Sequence, residues 1–190
     1  MASEQIKVTT GRVRFSYVNL ETPRAIQEGQ TPKYGLAILI DKSTPEGKAT
    51  YKKIREAEEK AKERDKAKWG GKIPSKLRSS LHDADDPNDN IDLENNPEYA
   101  GHWYMNVANE RRPGVVDKNV EPILDMSEVY SGCYGKVSLT AYGYATAGNK
   151  GVGFGLRNVQ KLADGEALGG ASNPEDDFDA EDDDDEDGVL

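Results

Sequence analysis

Apolar and polar positions alternate with a period of two along several stretches of this chain, the spacing that sends every second side chain to one face of a strand. From Ile6 to Leu20 the pattern predicts a long first strand, with Val13, Phe15 and Tyr17 on one face and Arg12, Arg14 and Ser16 on the other. Residues 21–32, with Pro23, Gly29 and Pro32, read as a polar loop. Tyr34 to Ile40 (YGLAILI) is the most apolar run and predicts a central strand. His102 to Ala108 alternates again, with Trp103, Met105 and Val107 opposite Tyr104 and Asn106. The strongest signal runs from Val129 to Leu162. Two strand-favouring segments, Lys136 to Thr146 and Val152 to Leu162, flank the glycine-rich link 147–151, which predicts a β-hairpin. Val137, Leu139 and Ala141 form its core face, and Ser138, Thr140, Tyr142 and Tyr144 form a face suited to contact. Glycines at 143, 151, 153 and 155 allow sharp coiling and close approach of a ligand. These elements fit a small curved barrel better than a flat sheet.

One segment follows the helical period instead. Ser43 or Thr44 can cap, Pro45 suits a first turn, and Ser43 with Glu46 has capping-box spacing. The helix is expected over residues 45–68 with a thin apolar side of Tyr51, Ile54, Ala57 and Ala61, supported by Glu56–Lys60 and Glu58–Lys62 pairs. It reads as a mostly solvated helix on a barrel. Trp69 follows, either to plug a core edge or to stack on a base. Residues 72–81 are a basic connector, and the acidic segment 83–98 is a loop or insertion. Residues 119–128 are expected to carry Ile123 and Leu124 into the core.

Charge changes this picture more than composition does. The 190 residues carry a net charge of −10, yet residues 1–82 sum to +8, 83–110 to −8, 111–161 to +3 and 171–190 to −11. An acidic whole therefore does not exclude a polyanion ligand. The last twenty residues repel one another and bury little, so residues 169–190 are expected to be a disordered acidic tail beyond a domain spanning 1–168. The tail reads as a solubilising extension or, through Phe178 within its acids, as a docking peptide. No apolar run is long enough for a membrane span, and no signal peptide is evident at the N-terminus.

Candidate chemistry points away from catalysis. Cys133 is the single cysteine and fits a buried small side chain in a reducing setting, with a thiol nucleophile as the alternative. Asp83, Asp85, Asp89 and Glu94 fall at calcium-loop spacings, but Pro87 and Asn88 occupy positions that such a loop gives to a ligand and to glycine. A magnesium nuclease would need those carboxylates to converge on ordered elements. No phosphate loop, zinc-binding His-Glu-x-x-His, cysteine-pair metal motif or nucleophile elbow is present. Arginines beside aromatics on strands, by contrast, are what a nucleic-acid groove uses.

The run YSGCYGKVSLTAYGY, then GNKGVGFGLRNVQKL, DGEALGG and an acid-rich tail holding Asp176-Asp177-Phe178 resembles bacteriophage single-stranded DNA-binding proteins with an OB-type barrel. Weaker similarity extends through ERRPGVVD, Tyr34 to Asp41 and RVRFSYVNL. The resemblance implies non-catalytic coating of single strands in phage replication, recombination or repair, in the cytoplasm of an infected bacterial cell, without metal or cofactor. The fold expected is mainly β: an OB-like curved five-stranded barrel with one charged helix. Arg12, Arg14, Arg111, Arg112, Lys118, Lys150 and Arg157 are the candidates for phosphate contact, and Tyr17, Tyr142 and Tyr144 for stacking on bases. Asp176, Asp177, Phe178 and Asp179 are the candidate tail contacts with replication or recombination proteins, and a homodimer is left open. The long helix, the acidic insertion and the terminal Gly188-Val189-Leu190 depart from the simplest family pattern.

Overall fold

The computed structural model describes residues 4–25, 27–146, 148–168 and 180. Its strands are β1 (Ile6–Thr9), β2 (Val13–Arg24), β3 (Lys33–Asp41), β4 (Arg78–Ser79), β5 (His82–Asp83), β6 (His102–Asn109), β7 (Gly114–Val116), β8 (Tyr134–Thr146) and β9 (Asn149–Ala163), with the helix α1 (Pro45–Arg64) between β3 and β4. Five of them close a ring. β2 pairs with β3, β3 with β6, β6 meets β9 in parallel at Ala108 and Gly155, β9 pairs with β8, and β8 returns to β2 at Gly135 and Tyr134. The result is the expected OB-type barrel. Phe15, Ile38, Met105, Leu139 and Leu156, one from each ring strand, are completely buried at its centre. No described helix is long and apolar enough to cross a membrane.

The expected single strand from Ile6 to Leu20 is instead two strands. Both lie along β8, β1 against residues 138–141 and β2 against 134–135, and the chain breaks between them at Thr10, whose backbone and hydroxyl bond the carbonyl and N–H of Val137. A second departure is a bulge. Between Ser16 and Asn19 the register with β3 slips, and Tyr17 takes a left-handed φ of 46°, a conformation costly for a bulky residue. Tyr17 therefore leaves the face of Val13 and Phe15 and is 64% exposed.

Helix α1 buries Ile54, Ala57 and Ala61 in the barrel core, and Tyr51 stacks on Trp103 with ring centroids 4.1 Å apart. Thr44, not Ser43, is the N-cap: its hydroxyl accepts from Gly47 N–H, while Glu46 accepts the N–H of Arg12. The helix ends at Arg64 and passes through a 3-10 turn, Lys66–Trp69, to a left-handed Gly70. Nor is Glu58 a surface partner of Lys62; it is buried, accepting from Arg55 and from Ser79 of β4. Ile123 is buried as expected, but Leu124 is 92% exposed. Beyond the 117–121 turn, Pro122 bridges Val116 and Ile123 N–H donates to the Val115 carbonyl, and on this extended backbone the side chain after Ile123 faces outward.

Candidate nucleic-acid interface

The outward face of β3 and β6 divides into a covered half and an open half. At one end Leu39 and Tyr104 form a second apolar cluster with Ala84 and Tyr99, roofed by the acidic segment. At the other end Gly35, Ala37, Asn106 and Ala108 floor a cleft of about 870 Å³, walled by Tyr17, Asn19, Arg24 and Lys33. Small floor residues leave the backbone open to a flat ligand. A hollow of about 380 Å³ shares Asn106 with this cleft and adds Arg78, His82 and Tyr144. A third, of about 350 Å³, shares Arg78 and adds Lys76, Asn149 and Lys150. The three follow one another along one track. Among the described residues, Arg24, Lys33, Lys76, Arg78 and Lys150 line it against a single acid, Glu110. Cations in that excess favour a polyanion.

Two tyrosines stand at the hairpin end. Tyr142 pairs with Gly153 and Tyr144 with Gly151, so each ring crosses a strand that has no side chain beneath it. A β-carbon on Gly153 would lie 2.8 Å from the Tyr142 ring, and one on Gly151 2.9 Å from the Tyr144 hydroxyl. The ring centroids are 6.4 Å apart, tilted by 55°, and Tyr142 is 41% exposed. Behind them the strand is braced. Trp69 Nε1 donates to the carbonyl of Tyr144, Lys68 Nζ to that of Gly143, and Asp65 accepts the N–H of Gly143 at 2.7 Å. The Arg64 guanidinium, with that N–H, outweighs burial and holds the Asp65 carboxyl below its usual range. Trp69 thus serves as the core-edge plug, with its indole N–H spent on the barrel.

Residues 6–189 match the family described as "Enterobacter phage Enc34, ssDNA-binding protein". The chain belongs to this family. A "Putative protein p50" of Acyrthosiphon pisum secondary endosymbiont phage 1 is 32% identical over 170 residues, covering 87% of this chain and 88% of that protein. The single-stranded DNA-binding protein of bacteriophage Enc34, solved in complex with ssDNA, superposes with a TM-score of 0.71 at 24% identity over 86% of this chain and 89% of its own. The single-stranded DNA-binding protein gp2.5 of bacteriophage T7 gives 0.62 at 15% identity over 93% and 96%. At those identities the two structures establish a shared fold.

In this Enc34-type chain, the sequence candidates fall into separate places. Tyr17, Tyr144 and Lys150 line the track and Tyr142 stands beside it. Arg12 and Arg14 instead lie over the Tyr134 ring, at 4.7 and 5.5 Å, and Arg14 is bound to the carbonyls of Gly132 and Glu166. Arg112 donates to the Glu21 carbonyl and covers Tyr34; its neighbour Arg111 is exposed. Lys118 is exposed in the 117–121 turn, and Arg157 donates to Gln5. Periodicity put Asn106 on the outward face of its strand but did not single out Arg24, Lys33, Lys76, Arg78 or His82. The basic connector 72–81 was the available sign for Lys76 and Arg78.

Three carboxylates of the acidic segment are held by neighbouring side chains. Lys42 pairs with Asp83 and Asp85, and Asp89 takes hydrogen bonds from Tyr104 and His82. Among the described residues no group of three or more His, Cys, Asp or Glu is arranged to hold a metal ion. Cys133 is fully buried, which pushes its thiol pKa up and away from nucleophilic use.

The chain leaves the barrel beside the track. Leu168 N–H donates to the Ser131 carbonyl, and the Ser131 hydroxyl accepts the N–H of Val18, next to Tyr17. The Tyr130 hydroxyl donates to Asp164 and accepts from Gly165 N–H. Asp176, Asp177, Phe178 and Asp179 lie outside the described residues.

Proposed function

We propose that the track from the 24–33 loop to the β8–β9 tip binds single-stranded DNA without reading its sequence, and that the protein coats and protects such strands in phage replication, recombination or repair. The observation that carries this reading is the pair of tyrosine rings laid over Gly151 and Gly153 at the end of a cation-lined groove. Rings over bare backbone offer stacking surfaces to any base, and lysines and arginines at intervals suit a phosphate chain. Membership of a family described as ssDNA-binding supports it. The role is binding rather than catalysis.

The acidic tail extends the proposal. It competes with DNA for the groove and, once displaced, recruits replication or recombination proteins. The exit of the chain at Leu168, joined to Val18 by two hydrogen bonds through Ser131, supports this. The segment 169–190 reaches about 70 Å when extended, enough to cover the track. Tethering sets its effective concentration near the millimolar range.

Fluorescence-anisotropy titration of labelled oligo-dT at several salt concentrations tests both statements, using the full chain beside one ending at Gly170. Neutralising four or five phosphates gives a log–log salt slope of about −3, or an affinity loss of roughly 60-fold from 50 to 200 mM salt. Truncation should tighten binding about three- to tenfold at low salt, with the gap closing as salt screens the tail. Salt-insensitive or absent binding by both chains rejects the groove. Equal low-salt affinities reject the competing tail alone.

A further inference from the structure

The hollow where β6 changes partner from β5 to β9 holds a group that phosphate binding by fixed cations does not need. His82 pairs with Tyr104 across β5 and β6, and its ring stacks on that tyrosine at 4.9 Å and 16°. Its Nδ1 lies 2.9 Å from Asp89 Oδ1, and Asp89 also accepts a hydrogen bond from the Tyr104 hydroxyl. The side chain is 41% exposed and lines the same hollow as Arg78, Asn106 and Tyr144. Among the described residues its Nε2 makes no hydrogen bond.

We infer that His82, oriented by Asp89, is a proton-coupled phosphate contact: when single-stranded DNA enters this hollow, a backbone phosphate accepts a hydrogen bond from His82 Nε2 and the imidazole takes up a proton. The inference rests on the groove reading above and names a further contact within it. The groups facing the ring are the Asp89 carboxylate, on the segment after β5, the Arg78 guanidinium of β4, and the hydroxyls of Tyr104 on β6 and Tyr144 on β8. Asp83, the next residue, is engaged by Lys42. Burial opposes ionisation of Asp89, but the hydrogen bonds from Tyr104, His82 and the Ile91 backbone prevail and keep its carboxyl below the usual range, so it stays charged throughout the histidine window. Asp89, bound to the ring's Nδ1, offsets Arg78 of the hollow, so a proton on His82 adds a net positive charge for the phosphate. Affinity therefore rises as pH falls.

The chain has two histidines, so the effect can be assigned. The other, His102, binds the Ala100 carbonyl through Nδ1 and does not line the track. Oligo-dT affinity of the full chain at fixed salt should tighten about three- to tenfold between pH 7.5 and pH 5.5, where histidines titrate. His82→Gln should flatten that dependence and His102→Gln should keep it, with thermal unfolding checking each fold. Calorimetry at pH 7 in two buffers of different ionisation enthalpy gives a second reading: binding enthalpies differ for the parent chain and coincide for His82→Gln. Asp89→Asn, which keeps an acceptor for Tyr104, should weaken the pH dependence. Salt-sensitive binding that is independent of pH, or a His82→Gln protein with the parental pH slope, overturns the proton link and leaves the groove standing. Absence of oligo-dT binding at every pH overturns both.

Discussion

Alanine at Tyr142 and Tyr144 together is expected to weaken oligo-dT binding by about 2–6 kcal/mol, since each stacked base contributes roughly 1–3 kcal/mol. The two rings are neutral, so the salt slope should stay that of the parent chain while the whole titration shifts to higher concentration. That combination separates stacking from charge. It also separates binding from folding. Tyr142 is 41% exposed, and the strand behind both residues is held by Trp69, Lys68 and Asp65 through the backbone of Gly143 and Tyr144, which alanine retains. Unchanged affinity in anisotropy titrations, with the fold intact by circular dichroism, would remove the tyrosines from the interface.

The second large effect concerns the barrel itself. Gly135 lies where β8 crosses from β9 to β2, and a β-carbon there would fall 2.1 Å from the carbonyl of Gln160 and 2.6 Å from the Phe15 ring. One neighbour is backbone and the other is a completely buried core residue, so neither can yield without moving a strand. Gly135→Ala is expected to cost about 3 kcal/mol, the upper part of the range for overpacking a core. Gly155, in the same hairpin, meets nothing closer than 4.0 Å at its β-carbon position. Gly155→Ala should therefore stay within about 0.5 kcal/mol of the parent chain. Urea unfolding of the two variants decides the matter. Similar midpoints for both would contradict the crowding seen at Gly135.

The hairpin was legible in the sequence because its alternation is local: Val137, Leu139 and Ala141 point inward, and Tyr142 and Tyr144 outward, as a period of two requires. Tyr34 to Ile40 was legible for a similar reason, since five consecutive buried residues leave an apolar run. Tyr17 was not. One extra residue in β2 reverses its direction, and a bulge has no signature in the alternation of side chains until the partner strand is known. Arg12 and Arg14 fell on the outward face as expected, but that face meets Tyr134 and the departing C-terminal segment rather than the track. Ile123 and Leu124 are adjacent on extended backbone beside Val115, so one of the pair faces the core and the other solvent, and the apolar pair alone does not show that a strand partner exists there. The cations of the track come from the β2–β3 hairpin, the connector and the β8–β9 tip. Those of the connector meet those of the tip because β4 pairs in parallel with β9, at Arg78 with Gly151, a long-range pairing that no local pattern encodes.

An oligo-dT carrying 5-iodouracil, crosslinked by light and mapped by mass spectrometry of the attached peptides, locates the strand on the protein surface. A strand lying in the groove leaves adducts on Tyr17, Tyr142 and Tyr144. Adducts on Tyr134 or Tyr51, with none on those three, would place the DNA on another face and contradict the groove.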